Sequence, residues 1–301
     1  MRIRSPRPAL GAYLLATLFA VAALGAAAAQ AAPPTIVLGS KNFPEEYILG
    51  QLYKQALEAK GYKVSYKENI GSTEVIDVAL ESGKINVYPE YTGVIVQDVF
   101  HHALSAKTAR GTYLLAKKLE RKRGFTLFAP TPFFDTDAIA VTRATAKRYH
   151  LKTVADLRKV PGLTLAGLPE FRTRNTGLVG LKKIYKLRNV AFVPLAGISP
   201  YAALDSGKTK AADVFSTDPP LGGTKYVVLK DPKHLFGFQN VAPVVSTKLA
   251  KALGPRFEKT MNAVSAKLTQ RAIVAMNKAV IVDKASPAVV AHAFLKVNHL
   301  L

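Results

Sequence analysis

Three segments give the clearest indication of the fold: GSKNFPEEYILG (residues 39–50), GSTEVIDVALESGKINV (71–87) and YPEYTG (88–93). An apolar strand, TIVLGS, leads into the first segment. Asn42 is placed to cap the helix that follows, with Glu45 three residues later. Apolar residues then recur at helical spacing: Ile48, Leu49, Leu52, Tyr53 and Leu57. Strands and helices continue to alternate, which predicts an α/β fold with a largely parallel sheet.

Side chains suited to a small charged ligand lie near the predicted strand ends. Lys41 stands in the turn between a strand and a helix, and Ser72 and Thr73 open a second helix, whose free amides favour an anion. Tyr88 and Tyr91 follow the next short strand. A base, a helix N-terminus and paired aromatic rings suit a zwitterion with one carboxylate and one soft cation.

Residues 1–32 are predicted to be a signal peptide outside the fold. Three arginines stand within the first seven residues, an apolar run covers 12–29, and Ala29-Gln30-Ala31 gives a cleavage site. An uncleaved membrane anchor is the alternative, which the Pro33-Pro34 break disfavours. No other apolar run approaches the ~20 residues that span a bilayer.

Composition narrows the compartment and the partners. The chain has no cysteine, which excludes disulfides, thiolate metal sites and lipidation after the signal, so we expect the periplasm. Removing the three signal arginines takes the formal charge from +22 to +19. Such a charge can indicate affinity for nucleic acid or anionic membrane, or only a solvated basic surface. The densest basic run, residues 117–123, has no interleaved aromatic residues, so we expect no nucleic-acid partner.

A weak internal repeat indicates two similar halves. ALESGK (79–84) recurs as ALDSGK (203–208), and each copy ends a short helix with a capped start, the second at Ser199-Pro200. Each copy is followed by a strand that closes on an aromatic residue, Tyr88 in the first and Phe215 in the second. The repeat predicts two lobes that each aim a helix N-terminus and an aromatic ring at a shared cleft.

Two apolar segments, TDAIAVTR (136–143) and QNVAPVVS (239–246), are best placed to cross between the lobes. We predict a discontinuous first lobe of residues 33–137 plus 241–301 and an inserted second lobe of residues 138–240. The two crossovers would form a hinge. A single α/β domain is the alternative for about 270 residues.

No catalytic motif is found. The sequence lacks H-E-x-x-H, G-x-S-x-G and G-x-x-x-x-G-K-[ST]. His101 and His102 are adjacent, so they point apart and make a poor metal pair. Asp135 and Asp137 are candidates for a general acid and base, but we interpret Asp135 as a turn residue and Asp137 as facing the cleft. We therefore predict no enzymatic activity, no cofactor and no metal.

The same segments resemble the substrate-binding proteins of ABC importers for quaternary amines, the glycine betaine/choline/carnitine family. Later markers extend the resemblance over essentially the whole chain after the signal: EFRTRNTG (170–177), FSTD (215–218) and APVV (242–245). The resemblance implies a two-lobed flytrap of the second topological type with two crossover hinge strands. It also implies a ligand ammonium among aromatic rings, a carboxylate held by a lysine and an arginine, permease subunits as partners, and a monomer.

Carried over by position, Lys41 and Arg174 match the carboxylate binders, and Tyr91 and Phe215 match two cage rings. Three departures stand out: Asp137 and Gln239 replace cage tyrosines, and Val94 replaces the threonine that often ends YPEYTGT. The predicted ligand-binding residues are Lys41, Ser72, Thr73, Tyr88, Tyr91, Asp137, Arg174, Tyr201, Phe215 and Gln239.

The function expected is delivery of a betaine-like osmoprotectant to an ABC importer. One alternative is a receptor of the same fold for another cationic zwitterion, such as an amino-acid derivative, a polyamine or a histidine betaine. Another is an enzyme or regulatory sensor, because a fold alone does not fix function.

Overall fold

Short strands and helices alternate along the chain from Ile36 onward. The computed structural model describes Met1 and residues 34–102, 107–195 and 198–301, so the predicted signal peptide, Met1 apart, lies outside the described residues. The strands of this part of the chain are β1 (Ile36–Gly39), β2 (Val64–Lys67), β3 (Val87–Tyr91), β4 (Phe125–Leu127), β5 (Asp137–Thr142), β6 (Thr164–Gly167), β7 (Ala191–Pro194), β8 (Ala211–Phe215), β9 (Tyr226–Val228) and β10 (Val241–Ser246).

The helices vary from a single turn to the 16 residues of Pro44–Ala59, and the 21-residue segment Thr247–Lys267 is divided by a kink at Gly254, whose backbone is not helical. They are α1 (Pro44–Ala59), α2 (Thr73–Glu81), α3 (Thr92–Val94), α4 (Ala109–Lys122), α5 (Arg143–Tyr149), α6 (Leu178–Ile184), α7 (Pro200–Asp205), α8 (Thr247–Lys267), α9 (Gln270–Ile281) and α10 (Pro287–Val297). A π-helical turn, Ile95–Val99, continues α3. Within the described ranges no helix is both long enough and apolar enough to cross a membrane.

Two five-stranded sheets organise the chain, each at the centre of one lobe. The first sheet has the order β2-β1-β3-β10-β4 and the second has β7-β6-β8-β5-β9. The orders match position by position, with β3 equivalent to β8 and β10 to β5. The two copies of the six-residue repeat end α2 and α7, immediately before β3 and β8. Gly83 and Gly207, one in each copy, both adopt φ 72°, a conformation that favours glycine. The α/β fold with two lobes is confirmed.

Each sheet is largely parallel, as predicted, but one of its five strands runs against the other four. In the first sheet β1 runs parallel to β2 and β3, but β10 runs antiparallel to β3 and β4. In the second sheet β6 runs parallel to β7 and β8, but β5 runs antiparallel to β8 and β9. The antiparallel strands are those that follow the two passages of the chain between sheets, so each enters its sheet from the opposite end.

The passages between the sheets run side by side. Phe134, before β5, pairs with Asn240, before β10, in an antiparallel bridge. The amide of Asp135 donates to the carbonyl of Gln239 at 3.1 Å. β5 itself lies wholly in the second sheet and β10 wholly in the first. The lobe boundaries at 137/138 and 240/241, and a hinge motion at this bridge, remain predictions.

The first helix, α1, packs as its apolar pattern predicts. The five apolar residues spaced along α1 are fully buried in the core of the first lobe, against α8, α9 and α10. The predicted cap is wrong, because Pro44 occupies the first helical position and makes Phe43 the N-cap residue. Asn42 therefore lies outside the helix, and Glu45 is turned into the protein rather than toward the helix start.

Candidate ligand-binding cleft

A narrow cleft lies between the two sheets, at the end of β3 and of its counterpart β8. Its volume is about 30 Å³, room for a water molecule or two rather than for an organic ligand. Eight of the ten predicted ligand-binding residues line it: Lys41, Ser72, Thr73, Tyr91, Asp137, Arg174, Phe215 and Gln239. The remaining lining residues are Asn42, Phe43, Val94, Asp135, Leu168 and Glu170.

Aromatic rings from both lobes meet at Phe43. Its ring stacks on Phe215 of the second lobe with centroids 5.6 Å apart and planes 8° apart. On its other side it faces Tyr91 at 6.2 Å and 27°. Phe43 reaches this position because it precedes α1 as the N-cap residue, where the extended backbone directs its side chain away from the helix. The rings form an apolar wall with electron-rich faces, which is suited to a soft cation.

The ammonium group of Lys41 lies against this wall. It is 4.3 Å from the centre of the Tyr91 ring and 5.6 Å from that of Phe43. It is also paired with the carboxylate of Glu90 at 2.5 Å, and Thr73 donates to the second oxygen of that carboxylate at 2.9 Å. Lys41 is only 3 % exposed, and Glu90 is fully buried. Lys41 is thus neutralised by the protein, where the family resemblance implied a free partner for a ligand carboxylate.

The helix start beside Lys41 supplies a second polar surface. α2 begins at Thr73 with Ser72 as its N-cap residue, so its first amides point into the cleft. The positive end of the helix dipole favours an anion at this place. Arg174 of the second lobe lies on the same side, paired with Glu74 in the first turn of the helix.

A pair of carboxyl groups lies on the second-lobe side. Asp137 begins β5, and Asp213 lies on the same face of the sheet, because Asp137 pairs with Phe215 and Ile139 with Asp213. This register brings the two carboxyl groups close together. Burial raises the pKa of Asp137 to about 6 against the opposing charge of Arg174, and burial with the neighbouring Asp137 raises the pKa of Asp213.

Asp135 combines the turn role expected of it with a place on the cleft wall. Its Oδ1 accepts hydrogen bonds from the Thr217 amide at 3.0 Å and the Ser216 hydroxyl at 3.1 Å. It therefore fixes the turn after β8 to the strand that starts beside it. Burial raises the pKa of Asp135, and the nearby carboxylate of Glu45 adds to this effect.

Glu45 links a ring of the wall to both lobes. Its Oε1 accepts from the hydroxyl of Tyr91 at 2.7 Å, and its Oε2 accepts from the hydroxyl of Thr217 and the amide of Asn277, each at 2.7 Å. Thr217 belongs to the second lobe, whereas Asn277 lies on α9 of the first. The position of the Tyr91 ring is thereby coupled to the contact between the lobes.

Acidic groups dominate this region although the chain is strongly basic. Seven buried acidic residues line the cleft or interact directly with a residue that does: Glu45, Glu46, Glu90, Asp98, Asp135, Asp137 and Asp213. By contrast, Lys41 is the one basic residue among the described residues whose side chain is buried. The inner surface is therefore suited to a cation, while Arg174 and the start of α2 offer an anion site at its edge.

Two of the predicted residues do not reach the cleft. Tyr88 was expected to follow a strand, but it lies within β3, which extends through Tyr91. Tyr88 and Tyr91 are three residues apart in this strand, so their side chains point to opposite faces of the sheet. Tyr88 is therefore buried on the other face, with its hydroxyl 3.5 Å from Asp77. Tyr201 packs on Tyr226 and donates to Asp218 at 2.8 Å, away from the cleft wall.

Gln239 lines the cleft, but the backbone already satisfies its amide. Its oxygen accepts from the amide of Val94 at 2.9 Å, and its nitrogen donates to the carbonyl of Phe236 at 3.0 Å. A Cβ at Gly93 would lie 2.7 Å from the Gln239 side chain, so this glycine permits the close approach. Gln239 thus has a structural role on the cleft wall, where it joins Val94 to Phe236.

Sequence reasoning missed Phe43, Glu45, Glu90 and Asp213. Phe43 and Glu45 stand inside the quoted first segment, and Glu90 inside YPEYTG, so their proximity to Lys41 and Tyr91 was a usable signal. Asp213 gave no such signal, since only the strand register brings it beside Asp137. His101 and His102 lie apart from this cleft, and the described residues contain no cluster of three or more potential metal ligands.

Comparison with known proteins agrees with this architecture. Residues 34–297 match the family model described as the substrate-binding domain of ABC-type glycine betaine transport systems. A glycine-betaine-binding protein of Pseudomonas aeruginosa is 32 % identical over 288 residues, covering 91 % of each chain. The glycine betaine-binding protein YehZ of Escherichia coli is 30 % identical over 282 residues, covering 89 % of this chain and 91 % of the relative.

Solved structures show the same fold. The crystal structure of a glycine betaine/carnitine/choline ABC transporter protein superposes with a TM-score of 0.69 at 26 % identity, covering 88 % of this chain and 99 % of the other. The structure of apo YehZ gives a TM-score of 0.62 at 27 % identity and covers 89 % of this chain and 99 % of the other.

Proposed function

This chain belongs to the family of substrate-binding domains of ABC-type glycine betaine transport systems, and we propose that it binds a betaine-like quaternary amine outside the cytoplasm and delivers it to an importer. The permease subunits of that importer are its partners. It acts in the periplasm as a monomer, after removal of residues 1–32.

The observation that carries the proposal is the convergence of three kinds of group at the cleft. Phe43, Tyr91 and Phe215 offer ring faces, buried carboxylates surround them, and Arg174 lies beside the N-terminus of α2. A ligand with an ammonium at one end and a carboxylate at the other matches this division of charge.

The bound state requires rearrangement, because the cleft volume of about 30 Å³ is far below the ~300 Å³ of an ordinary ligand pocket. Separation of the lobes would open the cleft without disturbing either sheet, since hydrogen bonds between the lobes such as Thr217 with Glu45 and Thr176 with Asp98 are made by side chains outside the strands. Ligand entry therefore precedes closure in this proposal.

The test is to measure the binding of a panel of ligands: glycine betaine, choline, carnitine and amino-acid controls. Thermal shift identifies the ligands that stabilise the protein, and calorimetry then measures their affinities. A ligand present at 100 times its Kd should stabilise the protein by about 2.7 kcal/mol. Arg174→Ala should weaken binding of glycine betaine, whereas Arg188→Ala, at an exposed position, should not. Failure of every quaternary amine to bind, or equal binding by both variants and wild type, would contradict the proposal.

A further inference from the structure

The buried carboxyl pair of Asp137 and Asp213 has features that a purely structural pair does not need. Asp213 is 5 % exposed, and its Oδ1 has no hydrogen-bond partner. Its neighbour across the sheet is Gly167, where a Cβ would lie 3.3 Å from the Cβ of Asp213. The sheet therefore leaves no space for a side chain that could satisfy Asp213 from β6.

The two carboxyl groups constrain each other's protonation. Two neighbouring carboxyl groups in a buried site cannot both ionise without a counter-charge, so one of them keeps a proton and the pair titrates as a unit. Asp137 faces the cleft, whereas Asp213 lies behind it, so a change of charge in the cleft is felt by both.

The surroundings of the pair contain two bases among several acids, and each base already has an acidic partner. Arg174 interacts with both carboxyl groups, but its guanidinium already serves Glu74. The other charged groups that act on the pair or share its cleft are Asp98 from the π-helical turn, Asp218 from the turn after β8, Asp135 before β5, Glu170, and Lys41 with its partner Glu90. The pair thus lacks a cation of its own.

We propose that Asp137 and Asp213 together form the acidic half of the cation subsite, and that the ammonium of the ligand favours the singly ionised pair, so that binding at acidic pH releases one of the pair's two protons into solvent. The inference rests on the proposed function and adds to it a binding residue, Asp213, and a dependence of affinity on pH. The ring wall contributes cation–π attraction, while the carboxyl pair contributes one negative charge, which is present once the first of its two protons has left.

The direction of the effect follows from the charge. At acidic pH the pair is protonated and offers the cation little, whereas above the pH at which Asp137 titrates it carries negative charge beside the rings. Affinity for a cationic ligand should therefore rise with pH, by up to about tenfold per pH unit while one proton is released, and should level off near neutral pH.

The experiment is calorimetric titration of the full mature chain with glycine betaine and with choline at pH 5, 6, 7 and 8. Repeating each titration in buffers of different ionisation enthalpy counts the protons released. We expect wild type to release close to one proton at pH 5 and fewer at pH 8. Asp137→Asn and Asp213→Asn should both flatten the pH profile, and Asp213→Asn should keep more affinity at pH 8 because the cleft-facing carboxylate remains. Asp283→Asn, at an exposed carboxylate, is the matched control.

The outcomes separate the two levels of the proposal. Binding that is independent of pH, without proton release, would overturn this inference and leave the proposed function intact. A pH profile that persists in both asparagine variants would overturn it as well, since other acids would then carry the effect. Absence of quaternary amine binding at every pH would overturn the proposed function and this inference together. The proton count in wild type does not depend on how well the variants fold.

Discussion

Arg174 of the second lobe and Glu74 of the first form a two-point ion pair across the cleft. The Nε of Arg174 lies 2.9 Å from Oε1 of Glu74, and its Nη2 lies 3.1 Å from Oε2. The arginine that is proposed to hold a ligand carboxylate thus already holds a carboxylate of the same chain. Glu74 both competes with the ligand and joins the lobes when no ligand bridges them.

Removing this competitor should favour binding. In Glu74→Gln the ligand-free lobes lose a contact and Arg174 is released, so affinity for glycine betaine should rise, and more than affinity for choline, which has no carboxylate. A partly exposed pair contributes up to about 1 kcal/mol, which corresponds to about fivefold in Kd. Calorimetry measures both ligands. Glu81→Gln, which breaks a pair with Arg123 inside the first lobe, is the control. Weaker betaine binding by Glu74→Gln would contradict the competition.

Ligand binding should compact the protein relative to an opened ligand-free state. Small-angle X-ray scattering should show a smaller radius of gyration at saturating glycine betaine, because the ligand bridges the Phe43–Tyr91 wall of one lobe and Phe215 of the other. Glu74→Gln without ligand should give a radius at least as large as that of ligand-free wild type. An unchanged radius in all three samples would show that the lobes do not separate.

Lys41 should be essential to stability as well as to the cleft. Lys41→Met leaves Glu90 buried without its ammonium partner, and breaking a buried pair by removing one member destabilises by about 3–5 kcal/mol. Urea unfolding measures the change in free energy. Adding Glu90→Gln to Lys41→Met should restore a large part of the loss, since no uncompensated charge then remains.

The surface pair of Lys54 and Glu58 provides the matched control for that cycle. Lys54→Met should change the free energy of unfolding by less than about 1 kcal/mol. If Lys41→Met were as mild as Lys54→Met, the ammonium of Lys41 would not be the counter-charge that the buried carboxylate needs.

Without ligand the protein should lose stability as pH rises from 5 to 8. Burial raises the pKa of Glu46 to about 8 and that of Asp137 to about 6, above the values of an unfolded chain. The folded state then holds more protons than the unfolded state between about pH 4 and the folded pKa, so stability present at low pH is lost as pH increases. Each group contributes about 1.4 kcal/mol per pH unit within its window.

Urea unfolding at pH 5, 6, 7 and 8 checks this dependence. Glu46→Gln should flatten the slope between pH 5 and 8 because the neutral amide mimics the protonated acid, whereas Glu258→Gln, at an exposed site, should leave it unchanged. Stability that increases from pH 5 to pH 8 would show that the buried acids are ionised at a low pKa.

The sequence was sufficient for those parts of the site that depend on local pattern. The apolar stripe of α1, the helix starts at Ser72 and Ser199 and the matching repeats are local, and the structure shows them where they were expected, although only Ser199 caps its helix with its side chain. The fold could be predicted because the same alternation of strands and helices occurs in both halves of the chain, and the sequence motifs lie at the ends of the strands.

Other parts depended on register and on pairing across the chain. Tyr88 was misplaced because β3 is longer than its apolar residues indicate, which reverses the face of one tyrosine. Lys41 was assigned to the ligand, since nothing in the sequence shows that Glu90, 49 residues away, takes its charge first. Asp213 could not be recognised as a neighbour of Asp137 from the sequence, because only the pairing of β5 with β8 brings the two residues together.

The position of β10 between β3 and β4 determines the sequence of events during synthesis. The strands of the second sheet are contiguous, from Asp137 to Val228, so that lobe can form as soon as they have been made. The first sheet must wait for Val241–Ser246, and its core for α8, α9 and α10. Until then β3 has an unpaired edge, which is a template for aggregation. The sheet that contains the N-terminal strand is therefore the last to have all its strands available as the chain is made.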